Sequence, residues 1–395
     1  MAWRNRAAPG AAVLTPALEP TDWLSSLVIY QADSAHQIAE ATVMTTVYPD
    51  RPADAASGPR WPENTPVALT YGWWDDDREP WYGYVASSRV QGTDTDPRYG
   101  YAVSIPVVYT LVGPTMAMQT QHNRAWGDVT PSYIARTIAG RHALEAHVPV
   151  SGTRLDQQMQ TTSDWKLLAD LAERTGRRLY ADGMRMWFAP RDAVMPSSDG
   201  TVPRFWQRRK PGVTDTLRAF HGTVGDTDPA GGARARISTV GLNRQTGQLS
   251  PAVVEQRRVD AQGAPVPALL AQQYTGRPAH SWREAVDLLD AATEWLWVSA
   301  TGQSDGDPRL KPGSVVDLQG EALGSMHRGL WMVRAAVHRL DLDYLYPQRT
   351  TYTTDLVLGR SAPDGLDVAV PALLAPVAAP VLVDGRWRAS RIGGS

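Results

Sequence analysis

Fifteen tryptophans, eight histidines and a run of three aspartates are the residues of this 395-residue chain whose types could do chemistry. Indole faces stack on sugar rings, and Trp73, Trp74 and Trp81 cluster around one strand pair, as a carbohydrate platform would require. The chain has only three phenylalanines, so tryptophan also fills core and interface positions that phenylalanine takes elsewhere, and this second reading is preferred. Where such a ring is exposed, a subunit contact is the expected cause, because tryptophan and arginine are enriched at interface hot spots.

Metal and acid–base chemistry find less support. His142 and His147 lie five apart, which does not put both rings on one helical face as a zinc-binding pair would need. Asp75, Asp76 and Asp77 offer hard oxygen ligands but lack the alternating spacing that wraps a calcium ion, and they read as part of a solvated hairpin tip, DDDREP. His338 falls in an alternating apolar strand and reads as a packed, hydrogen-bonded histidine. There is no cysteine, hence no disulfide framework, thiolate metal site or cysteine nucleophile. No nucleophile elbow, phosphate loop or dinucleotide fingerprint occurs, and no residue announces the paired carboxylates of a glycoside hydrolase. No catalytic, cofactor-binding or metal-binding residue is nominated: the chain is expected not to be an enzyme and to carry no cofactor.

The formal charge of −2 gives no electrostatic footprint for nucleic acid or an anionic membrane, so no sequence-specific nucleic-acid binding is expected. Lysine occurs only at Lys166, Lys210 and Lys311, a bias that fits a GC-rich genome. The N-terminal MAWRNRAAPG is followed by no apolar run of signal-peptide length, and no stretch reaches the roughly 18 residues of a membrane span. Val370 to Val383 is broken by Pro371, Pro376 and Pro380, each incompatible with a helix interior, and reads as an extended arm.

The elements that must position these residues are mostly strands. Trp23 to Tyr48 supplies two, and Val67 to Trp74 with Trp81 to Val90 forms a hairpin after a loop from Pro49 to Pro66. Tyr101 to Val112 adds another, with Pro106 predicting an edge or a bulge. Helical spacing then appears: Thr130 caps a helix beginning at Pro131, with Ile134 and Ile138 stacked and Gly140 ending it. Ser163 caps a second helix through Trp165, Leu168 and Leu171 to Gly176. Arg177 to Ala181 and Met184 to Ala189 flank Asp182-Gly183, which predicts a type I′ turn. Strands return near Val213 to Phe220, Ala233 to Asn243, Ser314 to Gln319, Leu330 to Leu340 and Thr350 to Leu358. Between them Ser281 and Glu284 form the capping box of a helix, and VLV-DG-RWR closes the chain as a hairpin.

The fold class is therefore mainly β with an α+β insertion. Residues 1–112 form an N-terminal β-barrel domain, 113–212 a small α+β domain, 213–360 a second β-barrel domain with an inserted helix, and 361–395 an Ala/Pro-rich C-terminal arm.

Several phrases in this order carry a family resemblance. VVYTLVGPTM, the helix TPSYIARTIAG, and LDQQMQTTSDWKLLADLAERTGRRLYADGMRMWFAP resemble the phage late control D family of tail hub proteins, with Gln160 and Ser163 to Gly176 the most specific part. PVALTYGWW followed by WYGYV is similar to that family's first strand pair. STVGLNRQTGQL, LKPGSVVDLQG, GLWMVRAAVHRL and TYTTDLVL resemble strands of its second barrel, so the likeness covers most of Val67 to Leu358.

The resemblance implies a structural baseplate hub or tail-tip protein of a phage or phage-like particle. Two tube-protein-like barrels per chain would give a homotrimer a pseudo-sixfold face, joining a sixfold tail tube to a threefold tip and lining or gating the DNA channel. Implied partners are the tail tube or distal tail protein, a central tip, spike or fibre protein, and a tape measure protein. The implied location is the virion tail tip, assembled in the host cytoplasm, with the arm reaching a neighbouring subunit or tip protein. No spike or hydrolase domain is recognised after the second barrel, which favours a separate hub of a siphophage or gene transfer particle. The alternatives are a carbohydrate-binding, receptor-recognising tail protein and a cell-wall hydrolase.

Overall fold

The computed structural model describes residues 9–18, 22–47, 61–73, 78–91, 103–151, 154–191, 193–195, 201–207, 217–223, 236–242, 249–255, 273–274, 298–324, 327–343, 345–346, 349–360 and 380–389. The aspartate run Asp75 to Asp77, the helix expected from Ser281 and most of the arm lie outside them.

The first third of the chain is strand: β1 (Pro9–Thr15), β2 (Trp23–Ala32), β3 (Ile38–Val47), β4 (Pro66–Trp73), β5 (Arg78–Val90) and β6 (Val103–Val112). Period-two alternation drives them, since Leu27 and Ile29 on β2 and Ala39, Ala41 and Val43 on β3 all point inward. These strands run β1-β4-β5-β6-β3-β2, each antiparallel to the next, and the sheet curls until β1 comes against β2. Val67, Leu69, Tyr71, Trp81, Tyr109 and Leu111 fill the interior. Strand β6 is an interior strand, not the edge that Pro106 predicted. Pro106 stands one residue past the last β5–β6 pair, Val90 with Val107, so its missing N–H removes no rung between them.

A short 3₁₀ helix (Pro114–Gln119) leads to the α+β part: β7 (Arg124–Val129), α1 (Pro131–Arg141), β8 (Glu145–His147), β9 (Leu155–Gln160), α2 (Asp164–Arg174), β10 (Arg177–Asp182) and β11 (Arg185–Pro190). Both helix starts are as expected. The Thr130 hydroxyl accepts from the Tyr133 N–H at 3.2 Å, and the Ser163 hydroxyl from the Lys166 N–H at 3.2 Å. The end of α1 differs, because Gly140 is helical and the chain leaves the helix through Ala143 at φ +55°. The β10–β11 turn also differs. Asp182 pairs with Arg185, so the loop residues are Gly183 and Met184, and of these only Gly183 has positive φ. That excludes a type I′ turn and leaves the Asp182 side chain free for another role.

The remaining strands are β12 (Arg204–Trp206), β13 (Leu217–Thr223), β14 (Arg236–Leu242), β15 (Leu249–Glu255), β16 (Gln273–Tyr274), β17 (Val298–Asp305), β18 (Val315–Gln319), β19 (Gly329–Asp341), β20 (Thr351–Arg360), β21 (Val381–Val383) and β22 (Arg386–Arg388). Strands β14 to β16 form a separate small sheet, whereas β19, β20, β17 and β13 follow one another and β12 and β18 attach through β19. Trp331, Val316, Leu318, Val333, Leu358 and Phe205 form their core.

These strands are not a detached second sheet. Residues 335–341 of β19 pair antiparallel with residues 26–32 of β2, so one twelve-stranded sheet runs through both β-rich halves of the chain. The architecture is thus mainly β, built on a large antiparallel sheet with an α+β insertion.

Candidate functional site

The three parts of the chain converge on two cations. Lys311, just before β18, is almost fully buried, and its Nζ donates to Glu79 Oε2 on β5 at 3.0 Å and to Asp182 Oδ2 at the end of β10 at 2.9 Å. One ammonium therefore joins the first sheet half, the α+β part and the second half. Burial alone would lower its pKa, but Asp182 and Glu79 outweigh burial and hold it well above the ordinary lysine value. Arg178, on β10, makes the second junction. Its guanidinium grips Asp33 in the β2–β3 turn at 2.7 and 2.8 Å and reaches the Met332 sulfur on β19 at 2.9 Å. The same turn donates the Ser34 N–H to the Leu179 carbonyl at 2.7 Å.

Around Lys311 stands a shell of buried aromatic and polar groups. Gln37 donates to the Tyr180 hydroxyl at 3.1 Å, and burial pushes the Tyr71, Tyr180 and Tyr352 phenols up. His338, on β19, has no solvent exposure. Its Nε2 faces the Leu310 carbonyl at 3.1 Å, which can only accept, so that nitrogen carries the hydrogen. Nδ1 then accepts from the Tyr352 hydroxyl at 2.9 Å. Burial, reinforced by the Lys311 charge, lowers the His338 pKa to about 4. The histidine is packed and hydrogen-bonded, as its place in an alternating strand implied.

A second polar centre lies in the α+β part. Asp164, the first residue of α2, has no exposure and receives Arg141 at 2.8 and 2.9 Å, His142 at 2.8 Å and Gln160 at 2.8 Å. Burial would raise this carboxyl, and the hydrogen bonds from Gln160 and His142 with the charges of Arg141 and His122 hold it below its ordinary value. Gln160 also accepts from the Trp126 indole at 3.1 Å. Both carboxylate oxygens are thus engaged, and the arrangement fixes α1, α2 and β9 without presenting a base to a nucleophile. Among the described residues, no three acidic or histidine side chains are grouped to hold a metal ion, and no helix is long and apolar enough to cross a membrane.

Neither described tryptophan of the hairpin is an exposed ring. Trp81 is buried, and Trp73 is half-buried with its indole N–H donated to the Gly306 carbonyl at 2.8 Å; Trp74 lies outside the described residues. Trp61, Trp126, Trp165, Trp187, Trp331 and Trp387 are buried as well, and Trp206 on β12 is the one exposed tryptophan among those described. The polar tip read as DDDREP also divides differently, since Arg78 and Glu79 belong to β5 and Glu79 is the partner of Lys311.

At the C-terminus, β21 and β22 form the expected hairpin, closing through Asp384 and Gly385 at φ +50° and +70°, the signature of a type I′ turn. Trp387 is inserted into the core of the α+β part against Tyr82. Its indole N–H donates to the Gly83 carbonyl at 3.1 Å and its backbone N–H to the Tyr84 hydroxyl at 2.9 Å. The Ala389 N–H reaches the Ala143 carbonyl at 3.1 Å. Between this hairpin, β5 and the α1–β8 connection lies a groove of about 1980 Å³.

This fold is shared with solved tail proteins. A 43 kDa tail protein of prophage MuSo2 from Shewanella oneidensis and a tail protein from Neisseria meningitidis MC58 each superpose with a TM-score of 0.58 at 12% identity, over 90% of this chain and 98% of theirs. An Escherichia coli component of the type VI secretion system, described as structurally similar to the T4 tail proteins gp27 and gp5, gives 0.53 at 10% identity, over 94% of this chain and 82% of its own. No protein-family model matches the chain, and no curated sequence matches it significantly. The chain has the fold of phage tail proteins.

Two predictions follow from the junction. Lys311→Met leaves two half-buried carboxylates without their cation and is expected to lower unfolding stability by about 2 kcal/mol in chemical denaturation. His338 is neutral in the fold and chargeable when unfolded, so its contribution is present above pH 6.5 and is lost as pH falls toward about 4. Stability measured between those limits should fall by roughly 3 kcal/mol more in the wild type than in His338→Gln.

Proposed function

We propose that this chain is a structural hub subunit of a phage-type tail tip and not an enzyme. Three copies form a ring that joins a sixfold tail tube to a threefold tip and surrounds the DNA channel. The observation that carries this reading is the single sheet passing through both β-rich halves by the β2–β19 ladder, within a fold held in common with tail proteins. Two such halves per chain, taken three times, give six similar walls. We assign residues 1–112 and 213–360 to these walls, 113–212 to the α+β part and 361–395 to the arm.

The wall we assign to the channel is β6-β3-β2-β19-β20-β17-β13. On the side turned away from the cores, one row across this sheet reads Ile38, Tyr30, Val337, Asp355 and Gln303, and the next reads Glu40, Val28, Arg339 and Thr353. Arg339 meets Asp355 at 2.9 Å, and Gln303 donates to the same carboxylate at 2.8 Å. The charges on these rows are of both signs and partly paired. A passing duplex therefore meets no stripe of free cations that would hold its phosphates. In this reading the ring contacts the tail tube or distal tail protein on one side and a tip, spike or fibre protein on the other, with the tape measure protein inside. It sits at the tail tip of the virion and assembles in the host cytoplasm.

Electron microscopy of the purified protein, with its mass measured in solution, tests the proposal. A threefold ring with an axial opening and six similar lobes is the expected result. A compact monomer with substrate turnover in its cleft would overturn it.

A further inference from the structure

The C-terminal hairpin exposes more than its anchoring requires. A two-stranded hairpin is marginal in water unless it packs on something, and here one side chain, Trp387, does the packing. The other five strand residues are exposed, including Val381 at 46% and Val383 at 36%. The register places Val381 opposite Arg388 and Val383 opposite Arg386, so these four share the face opposite Trp387. Neither Arg386 nor Arg388 meets a carboxylate among the described residues, whereas Arg141, Arg178, Arg204, Arg309 and Arg339 each do.

This face borders the groove described above. Val381, Arg386 and Arg388 line one side, while Met116, 43% exposed on the 3₁₀ helix, and His122 line another. Of the other charged or titratable side chains on the groove, Arg141 and His142 are committed to Asp164, Glu145 is paired with Arg185 at 3.2 Å, and Glu63 is exposed on the opposite side, before β4. At the hairpin wall itself the charge is positive, from Arg386 and Arg388, and it lies beside the aliphatic surface of Val381. A groove whose wall carries two guanidinium groups beside Val381, with Met116 across from them, fits an extended chain whose carboxylates alternate with aliphatic residues.

We propose that the groove between the β21–β22 hairpin and the 3₁₀ helix binds an extended acidic segment of another protein, with Arg386 and Arg388 taking its carboxylates and Val381 and Met116 its aliphatic side chains. This does not depend on the trimeric ring. Because Trp387 points the other way, the two arginines can be changed without removing the hairpin's anchor.

The test uses the full chain and a fluorescein-labelled peptide of alternating glutamate and valine, with a lysine–valine peptide and a short DNA duplex as controls, read by anisotropy. The glutamate–valine peptide should bind saturably at low salt and weaken as salt is added. Arg386→Glu with Arg388→Glu should reduce its affinity about tenfold or more, and Met116→Asn should weaken it without touching the charges. Unchanged near- and far-ultraviolet circular dichroism confirms that each variant is folded. Absence of saturable binding, equal binding by the charge-reversed variant, or preference for the lysine–valine peptide or the duplex would overturn the proposal. So would self-association of the chain that disappears in the charge-reversed variant, because the groove would then hold a second copy.

Discussion

Seven residue pairs between β2 and β19 decide what kind of object this molecule is. Without them the chain would be two curled sheets on a string, each with an open edge beside the other. With them the two halves share one hydrogen-bonded surface, and neither can rotate without breaking a central ladder. The ladder needs both halves held in register, and the buried cations supply that restraint from behind. Arg178 ties the β2–β3 turn to β10 and touches β19, while Lys311 ties β5 and β10 to the segment entering β18. The α+β insertion is therefore more than a connector, because β10 supplies one member of each ionic junction.

Ion pairs of this kind do not have to add net stability, since taking charges out of water offsets their attraction. Their consequence is geometric. A lysine between two carboxylates from different parts of the chain is satisfied in one mutual placement of those parts, and any slippage leaves a buried charge unpaired. His338 acts in the same sense, as its two nitrogens demand a carbonyl on one side and a hydroxyl on the other.

Local signals in the sequence are legible where one residue type performs one local task. Thr130 and Ser163 cap their helices, and Asp384-Gly385 makes the turn that its composition demands. The same dipeptide at Asp182-Gly183 misled, because tertiary pairing extends β10 through Asp182 and moves the turn along by one residue. Strands such as β1, PGAAVLT, and β17, VSATGQSD, carry too few β-formers to stand out and exist because neighbours pair with them. The junction was the least legible part. Glu79 looked like a hairpin tip and Asp182 like a turn residue, and nothing local links either to Lys311, more than a hundred residues away. The one available signal was compositional: a lysine retained in a chain that otherwise uses arginine.

The central claim is that the two β-rich halves form one rigid wall, and amide hydrogen exchange on the intact chain addresses it directly. The account predicts that amides in residues 26–32 and 335–341 exchange as slowly as those at the centre of each half, in one cooperative unit. Fast exchange across both segments, with protection retained inside each half, would show two bodies that meet only loosely. That result would contradict the account.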